Sequence, residues 1–248
     1  MARVTRSLSA LWRLAAAFCL SLTFACSDPV GTTDHTSPPI DDEFDAGSGI
    51  VAQTPTPVQI QNLALLGKAW GFAKYHHPAV VRGYNNWDYE LFRAVPAVLA
   101  APDRASAADA IVSWLDSLGV IAACGPCVQA PSRTHLFPDN SWIADTADVG
   151  ADLSGRLLTM HRNRRIEGVH RYVSFAPNVG NPVFSEEAPY ANHASPDAGY
   201  RLLALFRFWN IIEYWFPYRD VMEEDWDAVL SELNSLKTAS QSSSITSL

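Results

Sequence analysis

"GKAWGFAKYHHP", residues 67–78, decides the fold because the chain writes it a second time: residues 206–217 read "FRFWNIIEYWFP". Trp, Tyr and Pro hold the same relative positions in both. Sliding the sequence against itself by 139 residues pairs 63–91 with 202–230 without a gap. Identities fall at Leu63/Leu202, Leu66/Leu205, Trp70/Trp209, Tyr75/Tyr214, Pro78/Pro217, Trp87/Trp226, Asp88/Asp227 and Leu91/Leu230. Two of these eight pairs are tryptophan, a residue used only eight times in 248, so chance explains them poorly. A duplicated structural unit explains them well.

Each copy has the pattern of helix, turn, helix. Leu63, Leu66, Trp70 and Ala73 recur at spacings of three and four and form one apolar stripe; Leu202, Leu205, Trp209, Ile212 and Phe216 do the same. Pro78 and Pro217 end these helices, because a proline pushes the preceding residue out of the helical region. A short loop follows, and Asn86 and Asp225 stand where an N-cap opens the next helix. Trp87, Asp88, Trp226 and Asp227 then lie in a first turn, where a carboxylate complements the helix dipole. The repeated residues are therefore read as architecture.

Between the copies, residues 106–119 predict an amphipathic helix with Ile111, Trp114, Leu115 and Leu118 on one face and Gly119 as its stop. Residues 152–163 predict a short helix. "VHRYVSF", residues 169–175, alternates and is rich in β-formers, which predicts a strand, and residues 176–199 are rich in proline and predict loop. The expected fold class is mainly α (α+β): a helical domain over residues 59–236, carrying the duplicated helix-turn-helix unit, a small β element and long loops.

Outside that domain the composition changes. Residues 1–26 contain Arg3, Arg6 and Arg13, no acid, and the apolar run "LAAAFCLSLTFAC". This predicts a signal peptide, and "LTFAC" predicts lipidation of Cys26. Residues 27–58 hold six acids and no Lys or Arg among many Pro, Gly, Ser and Thr, which predicts a disordered acidic linker. Residues 237–248 predict a disordered tail. The chain carries a formal net charge of -8 and no basic stripe, which argues against a nucleic-acid partner. No run after the leader approaches the ~20 apolar residues of a spanning helix, so membrane attachment is expected only through Cys26. Export to the cell envelope is the expected address.

The residues that could do chemistry each have a plainer reading. "CGPC", Cys124 to Cys127, matches the thioredoxin active-site tetrapeptide, yet it follows a helix and a glycine rather than a strand, and Pro131 argues against a helix after it. A zinc site would need two further ligands. A disulfide between Cys124 and Cys127 is the preferred reading. His76 and His77 are adjacent and face different ways, so packing or hydrogen bonding at the helix end is favoured over metal ligation. Glu186/Glu187 and Glu223/Glu224 read as solvated surface, and "HRNRR", residues 161–165, as an exposed helix end. No G-x-S-x-G elbow or S-x-x-K dyad occurs. The sequence thus calls for no catalytic residue, no metal and no cofactor.

Four blocks carry a family resemblance: "LGKAWGFAKYHHP" (66–78), "NNWDYELF" (85–92), "HRYVSFAPNVGNPVF" (170–184) and "YRLLALFRFWNIIEYWFPYRDVMEEDWDAVL" (200–230). Together they resemble the N-terminal region of bacterial exported serine peptidases of the tail-specific (C-terminal-processing, tricorn-like) family. The resemblance implies a helical module ahead of a PDZ-like segment and a catalytic α/β domain, in which a serine activated by lysine or histidine cleaves polypeptide substrates. It stops near Leu233, before "NSLKTASQSSSITSL", and none of the family's catalytic residues falls on a position here. The expectation is a member truncated before its catalytic domain, inactive alone. The alternative is a surface lipoprotein whose Trp215, Phe216 and Tyr218 hold a peptide or glycan; a thiol oxidoreductase using Cys124 and Cys127 is a third reading.

Overall fold

A computed structural model describes residues 40–125, 127, 137–164 and 170–237. The leader, Cys26 and the tail after Lys237 lie outside these residues. The described chain is mainly helical: α1 (Pro57–His76), α2 (Pro78–Val81), α3 (Trp87–Ala100), α4 (Arg104–Ser117), α5 (Thr146–Val149), α6 (Ala151–Arg162), α7 (Ala198–Trp215) and α8 (Trp226–Lys237). Single 3₁₀ turns lie at Ser141–Ala144 and Arg219–Val221. β1 (Ser174–Phe175) pairs antiparallel with β2 (Pro182–Val183).

The caps explain where the helices begin. Thr56 accepts from the Gln59 amide while Gln59 reaches back to Thr56, and Pro57 takes the first position, where its missing N–H costs nothing. Asp103, Asp197 and Asp225 cap α4, α7 and α8 more simply, each accepting from amides of the first turn. Asn86 does not: its side chain makes no cap bond and donates to the Asp41 carbonyl instead. Pro78 ends α1 as its sequence requires, and then starts the one-turn α2 with His77 as cap.

The duplication is visible atom by atom. In the first copy the Trp70 indole N–H donates to the Trp87 carbonyl at 3.0 Å, and the Trp87 indole donates back to the Trp70 carbonyl at 3.2 Å. In the second copy Trp209 donates to Trp226 at 2.8 Å, and Trp226 returns the bond at 3.2 Å. Both ring pairs are stacked with centroids 6.2 Å apart. Each copy is a pair of helices pinned by two reciprocal indoles. A buried indole N–H needs an acceptor, and here each ring brings one to its partner.

The copies then pack on one another about a pseudo-two-fold. Equivalent positions face each other along α1 and α7: a side chain on Gly67 would meet the Phe206 ring, one on Gly71 would meet Asn210, and Tyr75 meets Tyr214 edge-on at 5.2 Å. The two helices are therefore parallel and in register. Two glycines in α1 let them approach, and Asn210 donates across the contact to the Gly67 carbonyl at 3.1 Å. The charges obey the same symmetry. Lys68 of the first copy pairs with Asp227 of the second at 3.0 Å, and Arg207 of the second pairs with Asp88 of the first. An isologous contact has this reciprocity. Leu63, Leu66, Trp70, Leu202, Phe206 and Trp209 fill the core, which α4 and α6 extend on the side of α3.

Two expectations are corrected here. Residues 40–56, read as part of the disordered linker, lie against the helices. Arg93 binds Asp41 and Glu43, Phe44 packs edge-on against Tyr89 and Phe92, and Ser48 donates twice to Asp197 at 2.7 Å. The segment lacks cations of its own, and Arg93 supplies one from α3. Of the strand expected over 169–175, residue 169 lies outside the described residues, and within 170–175 only Ser174–Phe175 is strand. Its partner, Pro182–Val183, comes from the stretch read as loop. Tyr172 and Val173 are buried, but Arg171 bonds the Val81 carbonyl rather than a neighbouring strand.

Candidate functional site

Charge is concentrated in one buried chain of contacts between the copies. Lys74 is fully buried and pairs with Glu187; Glu187 also meets Arg207 at 2.9 Å; Arg207 pairs with Asp88, which accepts from Tyr190 at 2.8 Å. The Lys74 ammonium lies over the rings of Trp70 and Tyr172 at 4.8 and 4.7 Å. Burial pushes it below the usual lysine range, and Glu187 and Asp88 pull it back. Lys74 of α1 and Arg207 of α7 both hold Glu187, so the network fastens the 182–190 loop to the two helices. Glu187 is thus not solvated surface, as its sequence context suggested, whereas Glu186, Glu223 and Glu224 are exposed.

The open feature lies at the C-terminal end of α7. A cleft of about 520 Å³ is walled by Phe137, Phe175, Phe184, Trp215 and Phe216. The β1–β2 hairpin forms one side, closed by a turn in which Asn178 and Gly180 take positive φ. Trp215 is held by edge contacts from Tyr75 at 5.5 Å and Phe184 at 6.3 Å, and by the tilted ring of Phe175 at 5.7 Å. Phe137, Phe175 and Tyr218 stay more than half exposed. One polar pair interrupts the aromatic wall: Glu213, itself buried, accepts from Arg219 at 3.1 and 3.2 Å. Burial pushes the Glu213 carboxyl up to about 7, against the pull of Arg219. The cleft thus combines an apolar aromatic wall with one buried polar pair.

The other sequence-marked residues serve the frame. The indoles of Trp70, Trp87, Trp209 and Trp226 hold one another, and Asp88 and Asp227 join the two copies. His76 donates from Nδ1 to the Phe72 carbonyl at 2.8 Å and stacks on Phe72, and burial holds it down at about 3. His77 accepts from the Ala79 amide and is likewise depressed by burial, to about 4. The two rings thus point apart. Cys124 and Cys127 are joined in a disulfide. Among the described residues, no group of three or more His, Cys, Asp or Glu could hold a metal ion, and no helix is long and apolar enough to cross a membrane.

No family model, no curated protein and no solved structure matches this chain.

Proposed function

We propose that this chain is a non-catalytic module that holds polypeptide, of the kind that precedes the catalytic domain in exported serine peptidases of the tail-specific type. The observation that carries this is the aromatic cleft at the end of α7, formed where the second copy of the repeat is left uncovered. An extended segment would lay apolar side chains on Trp215, Phe175 and Phe216. Its backbone would meet the outer edges of the β1–β2 pair, which among the described residues bond only to each other. The repeat and the four sequence blocks support the family reading. The leader and Cys26 support export and a lipid anchor.

The test is a titration of the purified chain with a fluorescent, reduced and alkylated unfolded polypeptide, read by anisotropy and then by gel. The expected result is saturable binding without cleavage, weakened about tenfold or more, or ~1.4 kcal/mol, by Trp215→Ala or Phe216→Ala. Turnover abolished by substituting a single serine would contradict the non-catalytic reading. Absence of binding would contradict the holding role.

A further inference from the structure

A second cleft, of about 450 Å³, opens between the α2–α3 connection and the 186–190 loop, away from Trp215. Its rim is aromatic: Tyr84 is exposed over more than half its surface. Asn85, Asn86 and Arg171 bring hydrogen-bond donors, and Asp88, Glu186 and the amide oxygens bring acceptors. Gly83, at positive φ, shapes the floor, because a side chain there would sit 2.8 Å from Arg171 Cδ. Tyr190, one of two non-glycine residues with positive φ among those described, closes the far wall and bonds Asp88.

The charges in this cleft already have partners. Arg93 holds Asp41 and Glu90, Arg207 holds Asp88, and Arg171 lies 3.7 Å from Glu186. A charged ligand would have to break one of these pairs; a neutral ligand would not. One buried acceptor lacks a partner in the protein. Asp88 is more than nine-tenths buried, gives Oδ2 to both Arg207 and Tyr190, and has no partner in the protein for Oδ1. A buried carboxylate oxygen in this state calls for an O–H or N–H donor.

We propose that this cleft binds a saccharide: a neutral polyhydroxylated ring laid on Tyr84, with hydroxyls engaging Asn85 and Arg171 and one reaching Asp88 Oδ1 through a small shift of the cleft wall, since that atom is otherwise closed to solvent. Ring face, mixed donors and acceptors, and balanced charge are the requirements of such a ligand, and all three meet here. This site is separate from the polypeptide cleft and does not depend on it.

The experiment is isothermal titration of the full chain with tri-N-acetylchitotriose and with maltotriose, using inorganic phosphate and ammonium chloride as charged comparators. Saturable binding of at least one sugar is expected, with Kd of about 1 mM or tighter. Tyr84→Ala and Asn85→Ala, both at the rim, should each weaken it about fivefold or more, while Trp215→Ala leaves it unchanged. Asp88→Asn should weaken it as well, and circular dichroism would report whether that variant folds. Phosphate or ammonium binding in place of the sugars, no sugar binding at about 10 mM, or wild-type affinity in Tyr84→Ala would overturn the proposal.

Discussion

The two copies of the repeat share a frame and differ at their ends. After α1, His76 and His77 turn inward: one ring stacks on Phe72 beside Trp142 and His161, the other caps α2. After α7, the equivalent positions are Trp215 and Phe216, and they line an open cleft. The backbone is the same at both places. His77 and Phe216 are extended at φ -75 and -82, and their amides bond Ala73 and Ile212, themselves equivalent. The difference teaches that the tryptophan pins and the prolines fix the chain path, while the two residues before each proline decide whether the helix end is covered or offered to a partner.

The ion pairs diverge in the same manner. Arg207–Asp88 is roofed by Glu187 and Lys74, whereas its symmetry mate Lys68–Asp227 leaves the carboxylate 60% exposed. Substituting one partner of each pair separates them most strongly. Glu187→Gln strands the fully buried Lys74 and is expected to cost about 3–5 kcal/mol in urea unfolding. Asp227→Asn should cost under about 1 kcal/mol. Equal losses would show that the 182–190 loop does not fasten the copies.

The pins give the next effect. Trp87→Ala removes a buried ring that also stacks on Trp114, for an expected loss of about 3–5 kcal/mol. Trp226→Ala should cost less, because Trp226 is only partly buried. A larger loss at Trp226 would reverse the ranking of the two copies. The helix crossing gives a smaller, sign-diagnostic effect. Gly→Ala inside a helix ordinarily gains up to about 1 kcal/mol, but Gly71→Ala meets Asn210 and should lose about 1–3 kcal/mol. Adding Asn210→Ala should recover part of that loss, giving a coupling of about 0.5 kcal/mol or more in a double-mutant cycle.

pH separates the two helix ends most finely. Glu213 is held up at about 7 from an ordinary 4.5, so the folded state keeps a proton that the unfolded chain has released. Its contribution is full below about pH 4.5 and is lost as pH rises through about 7. His76 is held down at about 3 from 6.5, so its contribution is present above pH 6.5 and lost as pH falls towards 3. Denaturation midpoints between pH 5 and 8 should therefore respond to Glu213→Gln mainly on the neutral side and to His76→Gln mainly on the acid side. Interchanged responses would reassign the two ends.

Much of the frame was legible in the sequence, because local physics writes it there. Trp70, Trp87, Trp209 and Trp226 announce themselves by rarity and spacing, and the helices around 106–119 and 152–163 by apolar period. The cross-pairing of the copies was also present, unread: a cation at 68 and 207 and an acid at 88 and 227 repeat at the same offset. What was not legible depends on distant partners. Glu187 looks like any acidic loop residue until the fold brings Lys74 and Arg207 to it. Residues 40–56 look too polar to fold until Arg93 and Asp197 meet them. The aromatic cleft shows in the sequence only at Trp215 and Phe216; Phe137, Phe175, Phe184 and Arg219 reach it from distant or differently read segments.

The most direct test uses the tryptophans themselves. With 5-fluorotryptophan in the full chain, each indole gives its own ¹⁹F resonance, assigned by single Trp→Phe substitutions. Titration with an unfolded polypeptide should move Trp215 and leave Trp70, Trp87, Trp209 and Trp226 in place. A motionless Trp215, or shifts that start at the four pinned indoles, would contradict the division between a fixed frame and an open, polypeptide-holding end.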